Sequence, residues 1–181
     1  METMIISLVS LVLGLLSFNK DECEGSYESV INSNLVTQIS FSTEEIVNSY
    51  LKIKNALVKS DSKTTAQYAT VMETTLNNFN VSQLSASQRT QFIKSSEEAK
   101  KHIKVIATNS GKLDKQRKAF QQLSNTISEL VTVFGTSEKL HQDFCPMYEG
   151  GSIWLSETKE IKNPYYGAQM LNCGKIKEVI E

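Results

Sequence analysis

Between Ser42 and Phe134, apolar side chains recur every third or fourth residue in four separate runs. A period near 3.6 residues places such side chains on one face of an α-helix, and it suits no strand. Ile46, Tyr50, Ile53 and Leu57 form the first stripe. Ser42 and Glu45 stand before it as a capping-box pair, so the spacing predicts a helix over 43–59. Ser60-Asp61-Ser62 reads as a turn and a second N-cap, followed by Ala69, Met72, Leu76 and Phe79 and a helix over 63–79. Asn77-Asn78-Phe79-Asn80 ends it with poor helix formers. The third helix opens at Ser85 or Ser87, carries Phe92, Ser96, Ala99, Ile103 and Ile106 on one face, and closes at Asn109-Ser110-Gly111. The fourth presents Leu113, Phe120, Leu123, Ile127, Leu130 and Phe134. Its pattern allows an extension through Gly135 to Leu140, against the ~1 kcal/mol that glycine costs inside a helix. Four amphipathic segments with short connections predict an all-α fold, an antiparallel four-helix bundle. No strand-like alternation of useful length precedes Gly150, so the residues beyond the fourth helix are expected as an irregular C-terminal tail packed on one end.

The N-terminus has a different character. Met4 to Phe18 is an almost unbroken apolar run, too short for a confident membrane span and of the length of a secretory h-region. Residues 1–18 are therefore expected to be a signal peptide, 19–41 a linker without sustained periodicity, and 42–181 the helical-bundle domain. Cys23 follows Lys20, Asp21 and Glu22, which is no lipobox, so lipidation there is not expected. An exported chain of this kind would meet the membrane only through its leader. Disulfides persist in the compartment it would enter. A net charge of -1 gives no attraction to a polyanion, and no nucleic-acid partner is expected.

Chemistry-bearing residues crowd into the stretch from His141 to Cys173. It holds both prolines, two of the three cysteines, the single tryptophan, one of the two histidines and two of the five methionines. Proline at 146 pushes Cys145 out of helical backbone, so the fourth helix ends at or before it. If the helix reaches that far, His141 and Cys145 share a face four residues apart. Met147 lies two residues beyond, and Met170 and Cys173 are three apart, a spacing that suits one side of a helical turn.

Two thiols, two thioethers and an imidazole form a donor set for a soft ion, which points to Cu(I) or Ag(I) rather than zinc. Cys145, Met147, Met170 and Cys173 are the candidate ligands, with His141 as a fifth or a substitute. A disulfide between Cys145 and Cys173, clamping the tail to the bundle, is an equally open reading, and two unpaired buried thiols a third. Trp154, Tyr165 and Tyr166 supply aromatic surface for a partner, or they pin the tail. His102 sits at the edge of an apolar stripe and reads as structural. Asn80-Val81-Ser82 matches a glycosylation sequon, relevant only in a eukaryotic secretory setting. No G-x-S-x-G, H-E-x-x-H or phosphate-binding glycine loop is present, and enzymatic activity is not expected. Asp143 is near Cys145 and His141 in sequence, but nothing in the sequence places it as the orienting third group of a catalytic triad.

The order Tyr50-Leu51-x-x-Lys54-x-Ala56-Leu57-Val58-x-x-Asp61, then Cys145-Pro146-Met147, Trp154-Leu155-Ser156, Ile161-x-Asn163-Pro164-Tyr165-Tyr166-Gly167 and Met170-Leu171-x-Cys173-Gly174, resembles the domain of unknown function 3347 family. The resemblance covers about 42 to 180. Members occur mainly in Bacteroidetes, alone behind a signal peptide or fused to periplasmic adaptor subunits of CusB-type copper and silver efflux pumps. What it implies is a periplasmic setting and a link to heavy-metal efflux or homeostasis, with an efflux adaptor or a metallochaperone as partner. It implies no established biochemical activity.

Overall fold

The computed structural model describes residues 43–181. The expected signal peptide and linker lie outside these residues. Helix α1 covers 43–58. Its buried side is broad, running through Ile46, Val47, Tyr50, Leu51, Ile53, Lys54 and Leu57. It ends in a Schellman turn, with Ser60 N–H donating to Leu57 O and Asp61 N–H to Ala56 O. Ser60 takes the left-handed position, φ 57°, usually left to glycine. Its hydroxyl is needed there, because it accepts from Arg117 Nη2 at 3.0 Å.

Helix α2, Ser62–Asn77, is capped by the Asp61 side chain, which accepts from Thr64 N. Helix α3, Ala86–Thr108, starts from a full capping box of Ser85 and Gln88. Phe92, Ser96, Ala99, Ile103 and Ile106, the stripe legible in the sequence, are its buried residues. Helix α4 runs Leu113–Phe134 and stops. Gly135 caps it at φ 76°, with its N–H on Val131 O, so the helix does not extend to Leu140. Helix α3 packs against both α2 and α4. Phe79 stacks on Phe92 with ring centroids 3.9 Å apart, and Phe92 meets Phe134 edge-on at 5.9 Å. Each large apolar side chain buried in this way contributes about 1.5–3 kcal/mol.

The expectation of an all-α fold with an irregular tail is corrected here. Beyond Gly135 the chain forms a three-stranded antiparallel sheet in the order β2-β1-β3: β1 Leu140–Cys145, β2 Ser152–Ser156 and β3 Lys175–Ile180. The central strand escaped detection because Leu140, His141, Gln142 and Asp143 are all buried, so no alternation of apolar and polar residues marks it. Helix α4 lies against the sheet: Gln142 donates to Ser128 and Gln121 to Ser152. The β1–β3 register shifts between Gln142 and Asp143, where the partner moves from Glu178 to Ile176 and Lys177 is left as the bulge.

The loop from β2 to β3 is drawn back onto the helices by Arg117. Its Nε donates to Pro164 O at 3.1 Å while Nη2 holds Ser60. Gly167 sits in this crossing at φ 57°, where a Cβ would lie 2.6 Å from Ser60 Oγ and 3.0 Å from Val58 O. Gly167→Ala is therefore expected to destabilise the protein by about 1–3 kcal/mol. Gly150→Ala meets no neighbour within 4 Å and carries only the backbone penalty at φ 78°. Urea unfolding of the two variants checks the order.

Candidate functional site

The sheet brings Cys145 and Cys173 together. Cys145 ends β1, opposite Ser152, and has 0% of its surface exposed. Cys173 is half-buried in the turn before β3, its N–H on Met170 O. Asn163 sets this turn. Its N–H donates to Leu171 O, its Nδ2 donates to Cys173 O at 2.7 Å, and its Oδ1 accepts from Tyr165 N at 2.8 Å. The two sulfurs lie 3.2 Å apart as free thiols. The contact with Cys145, then burial, pushes the Cys173 thiol up from its ordinary range.

The other expected ligands stand differently. Met147 is 62% exposed and Met170 38% exposed. Their segments are tied together, since Tyr166 Oη donates to Met147 O at 2.9 Å. His141 is on β1, not on a helix, so the helical face it was to share with Cys145 does not exist. Four residues of extended backbone separate the two by about 13 Å. Its Nδ1 is buried without a hydrogen-bond partner. Among the described residues, no group of three or more His, Cys, Asp or Glu side chains is gathered as metal ligands would be. Cys145 and Cys173 are the two expected donors that the fold brings together.

The three rings expected at a docking surface differ in exposure. Trp154 and Tyr165 are buried, and only Tyr166 of the three is partly open. Tyr165 stacks on Tyr148 at 4.4 Å and receives Trp154 edge-on at 5.8 Å; its hydroxyl donates to Ile153 O. These rings pin the sheet and its loop. His102 faces Glu98 one turn earlier at 3.3 Å.

A second cluster, which sequence reasoning passed over, lies between α1 and the sheet. Lys54, 1% exposed, reaches Glu157 at 2.6 Å, and Asn55 donates to the other carboxylate oxygen at 2.9 Å. Burial raises the Glu157 pKa, but the hydrogen bonds from Lys54 and Asn55 and the charge of Lys54 outweigh it, and the group ends below the usual range. One turn earlier, the Tyr50 hydroxyl accepts from Leu155 N at 3.1 Å and shares a hydrogen with Ser124 at 2.8 Å. Burial pushes Tyr50 well above its ordinary value. Asp143 is 0% exposed, and neither carboxylate oxygen has a partner at hydrogen-bonding geometry. Trp154 is its cross-strand neighbour, with Nε1 likewise unpaired. Burial pushes Asp143 up to about 7, against the opposing pull of the Lys54 charge and the indole. The available signal was Lys54 itself, a cation four residues from Tyr50 and three from Leu57 on an otherwise apolar face.

A mostly helical domain closed by a small antiparallel sheet, with a thiol pair in the sheet, is the class of protein that these features define. The chain belongs to the family described as protein of unknown function (DUF3347), whose model matches residues 46–139. The match runs from α1 to the residue before β1, so the sheet and both thiols lie beyond it. No curated protein and no solved structure matches the chain.

The Asp143 carboxyl gives a signed pH dependence. Its folded pKa is raised, so its neutral form is favoured by folding. That contribution is complete below the unfolded value near 3.8, falls as pH rises towards about 7, and is gone above it. Asp143→Asn is expected to raise Tm at pH 8 and to leave it nearly unchanged at pH 4. Thermal melts of both proteins across this range check it, and an equal shift at both pH values would contradict the assignment.

Proposed function

We propose that this chain is an exported, periplasmic protein that binds a soft metal ion, Cu(I) or Ag(I), in connection with heavy-metal efflux or homeostasis. The observation that carries this reading is the 3.2 Å separation of Cys145 and Cys173, residues 28 positions apart in sequence. Two thiolates are the core of the site. Met147 and Met170, exposed and two and three residues from Cys145 and Cys173 in sequence, would add thioether donors, a set that favours soft monovalent ions over zinc. Cys173 is open enough for an ion to enter, and Cys145 is shielded. Ion transfer by exchange among sulfur ligands needs no redox step, and the reading is of a binding protein rather than an enzyme. A periplasmic efflux adaptor or a metallochaperone is the partner such a role calls for.

A second reading takes the same two cysteines as a disulfide that locks the tail of a protein-interaction module. It is favoured by the full burial of Cys145 and by the Asn163 bonds that hold Cys173 opposite it. Any docking face would then be the exposed Met147, Met170 and Leu171 with Tyr166, since Trp154 and Tyr165 are occupied internally.

Anaerobic titration of the reduced protein with Cu(I), in competition with a chromogenic chelator, tests the first reading. The wild type is expected to withdraw one equivalent from the chelator. Cys145→Ser and Cys173→Ser should each weaken retention at least ~100-fold, and Met147→Leu with Met170→Leu by about tenfold. Retention unchanged in the double cysteine variant would sink it. Protein isolated under air that has no titratable thiol at 145 and 173 and fails to compete after reduction supports the second.

A further inference from the structure

The two thiols are close but unequal. Cys145 is sealed at the end of the central strand, while Cys173 lies in a surface turn, half-buried. Their sulfurs are 3.2 Å apart, so a group attached to one lies within reach of the other. Thiol–disulfide exchange depends on access as well as on thiolate character. A bulky disulfide in solution can approach Cys173 and cannot approach Cys145.

We infer that Cys173 is the entry thiol and Cys145 the resolving thiol of a reversible dithiol–disulfide couple that exchanges with small-molecule disulfides. In the forward direction, the Cys173 thiolate attacks one sulfur of glutathione disulfide. The glutathione S–S bond breaks, and one glutathione leaves as a thiolate that takes up a proton. The Cys145 thiolate, its proton released to solvent, then attacks Cys173 Sγ in the mixed disulfide. The Cys145–Cys173 bond forms, and the second glutathione leaves. The protein loses two electrons and two protons, and glutathione disulfide is reduced to two thiols. In reverse, an external thiol attacks Cys173 and frees Cys145. The inference stands on the sulfur pair alone and needs no metal. Combined with soft-ion binding, it makes oxidation and metal loading mutually exclusive uses of the same two atoms.

The test uses the full chain in a Cys23→Ser background, metal-free and reduced, mixed with glutathione disulfide and followed by intact mass. The parent is expected to lose two hydrogens and to keep no adduct. Cys145→Ser should retain one glutathione. Cys173→Ser should react at least about tenfold more slowly than Cys145→Ser under native conditions, and at a similar rate in denaturant. Equal native rates for the two variants, or a parent that stops as a stable glutathione adduct, would overturn the inference. Early acid quenching of the parent followed by peptide mapping gives the same answer without substitutions in the pair: the first adduct is expected on Cys173, and an adduct on Cys145 refutes the order.

Discussion

The buried charge of Lys54 is paired with Glu157. It lies on the buried side of α1, between Tyr50 and Leu57, where an unpaired ammonium would be prohibitive. The pair at 2.6 Å therefore fixes where α1 must meet the end of β2. Such pairs add little net stability when compared with apolar residues of the same volume. Breaking one by removing a single partner costs about 3–5 kcal/mol. The value of this pair is positional. With Tyr50 held by the backbone of Leu155 one turn away, the helix has polar ties to β2 and to the residue that follows it, and sliding by one residue would lose both. The sheet could not take its place on the helices in another register without leaving a buried charge unpaired.

That constraint explains why Asp143 can stand with no hydrogen-bond partner. The helix-to-sheet seam is already committed to Lys54, Glu157 and Tyr50, and the carboxyl is enclosed by the packing that these ties enforce. Its neutral form is favoured over its ion up to about pH 7. The nearby Lys54 charge eases ionisation, but burial outweighs it. The Lys54–Glu157 pair and the Asp143 carboxyl both report on this junction.

The helices were legible because each has one apolar stripe at one period. Phe92, Ser96, Ala99, Ile103 and Ile106 required no tertiary knowledge. The sheet was not legible, because its central strand is covered along Leu140 to Asp143 and so carries His, Gln and Asp where a half-exposed strand would alternate. The helical extension to Leu140 failed at Gly135, whose positive φ ends α4. With that extension went the argument for His141 as a companion of Cys145. The meeting of Cys145 with Cys173 was foreseen only as a consequence of sulfur chemistry, and both the metal and the disulfide readings required it. Trp154 and Tyr165 could not be assigned to surface or core from composition, since aromatic rings serve both. Lys54 was visible in the sequence, but a lysine amid apolar neighbours is more often a snorkelling surface residue than a buried ion.

Strand β3 forms one rim of the sheet, and its outer backbone groups face away from β1. An unguarded rim would recruit the rim of another molecule. Here Lys177 interrupts the ladder as a bulge, Lys175 and Glu178 flank it, and the ion pair of Lys139 with Glu181 closes the far end. The kink and the charges make a poor template for a neighbouring chain.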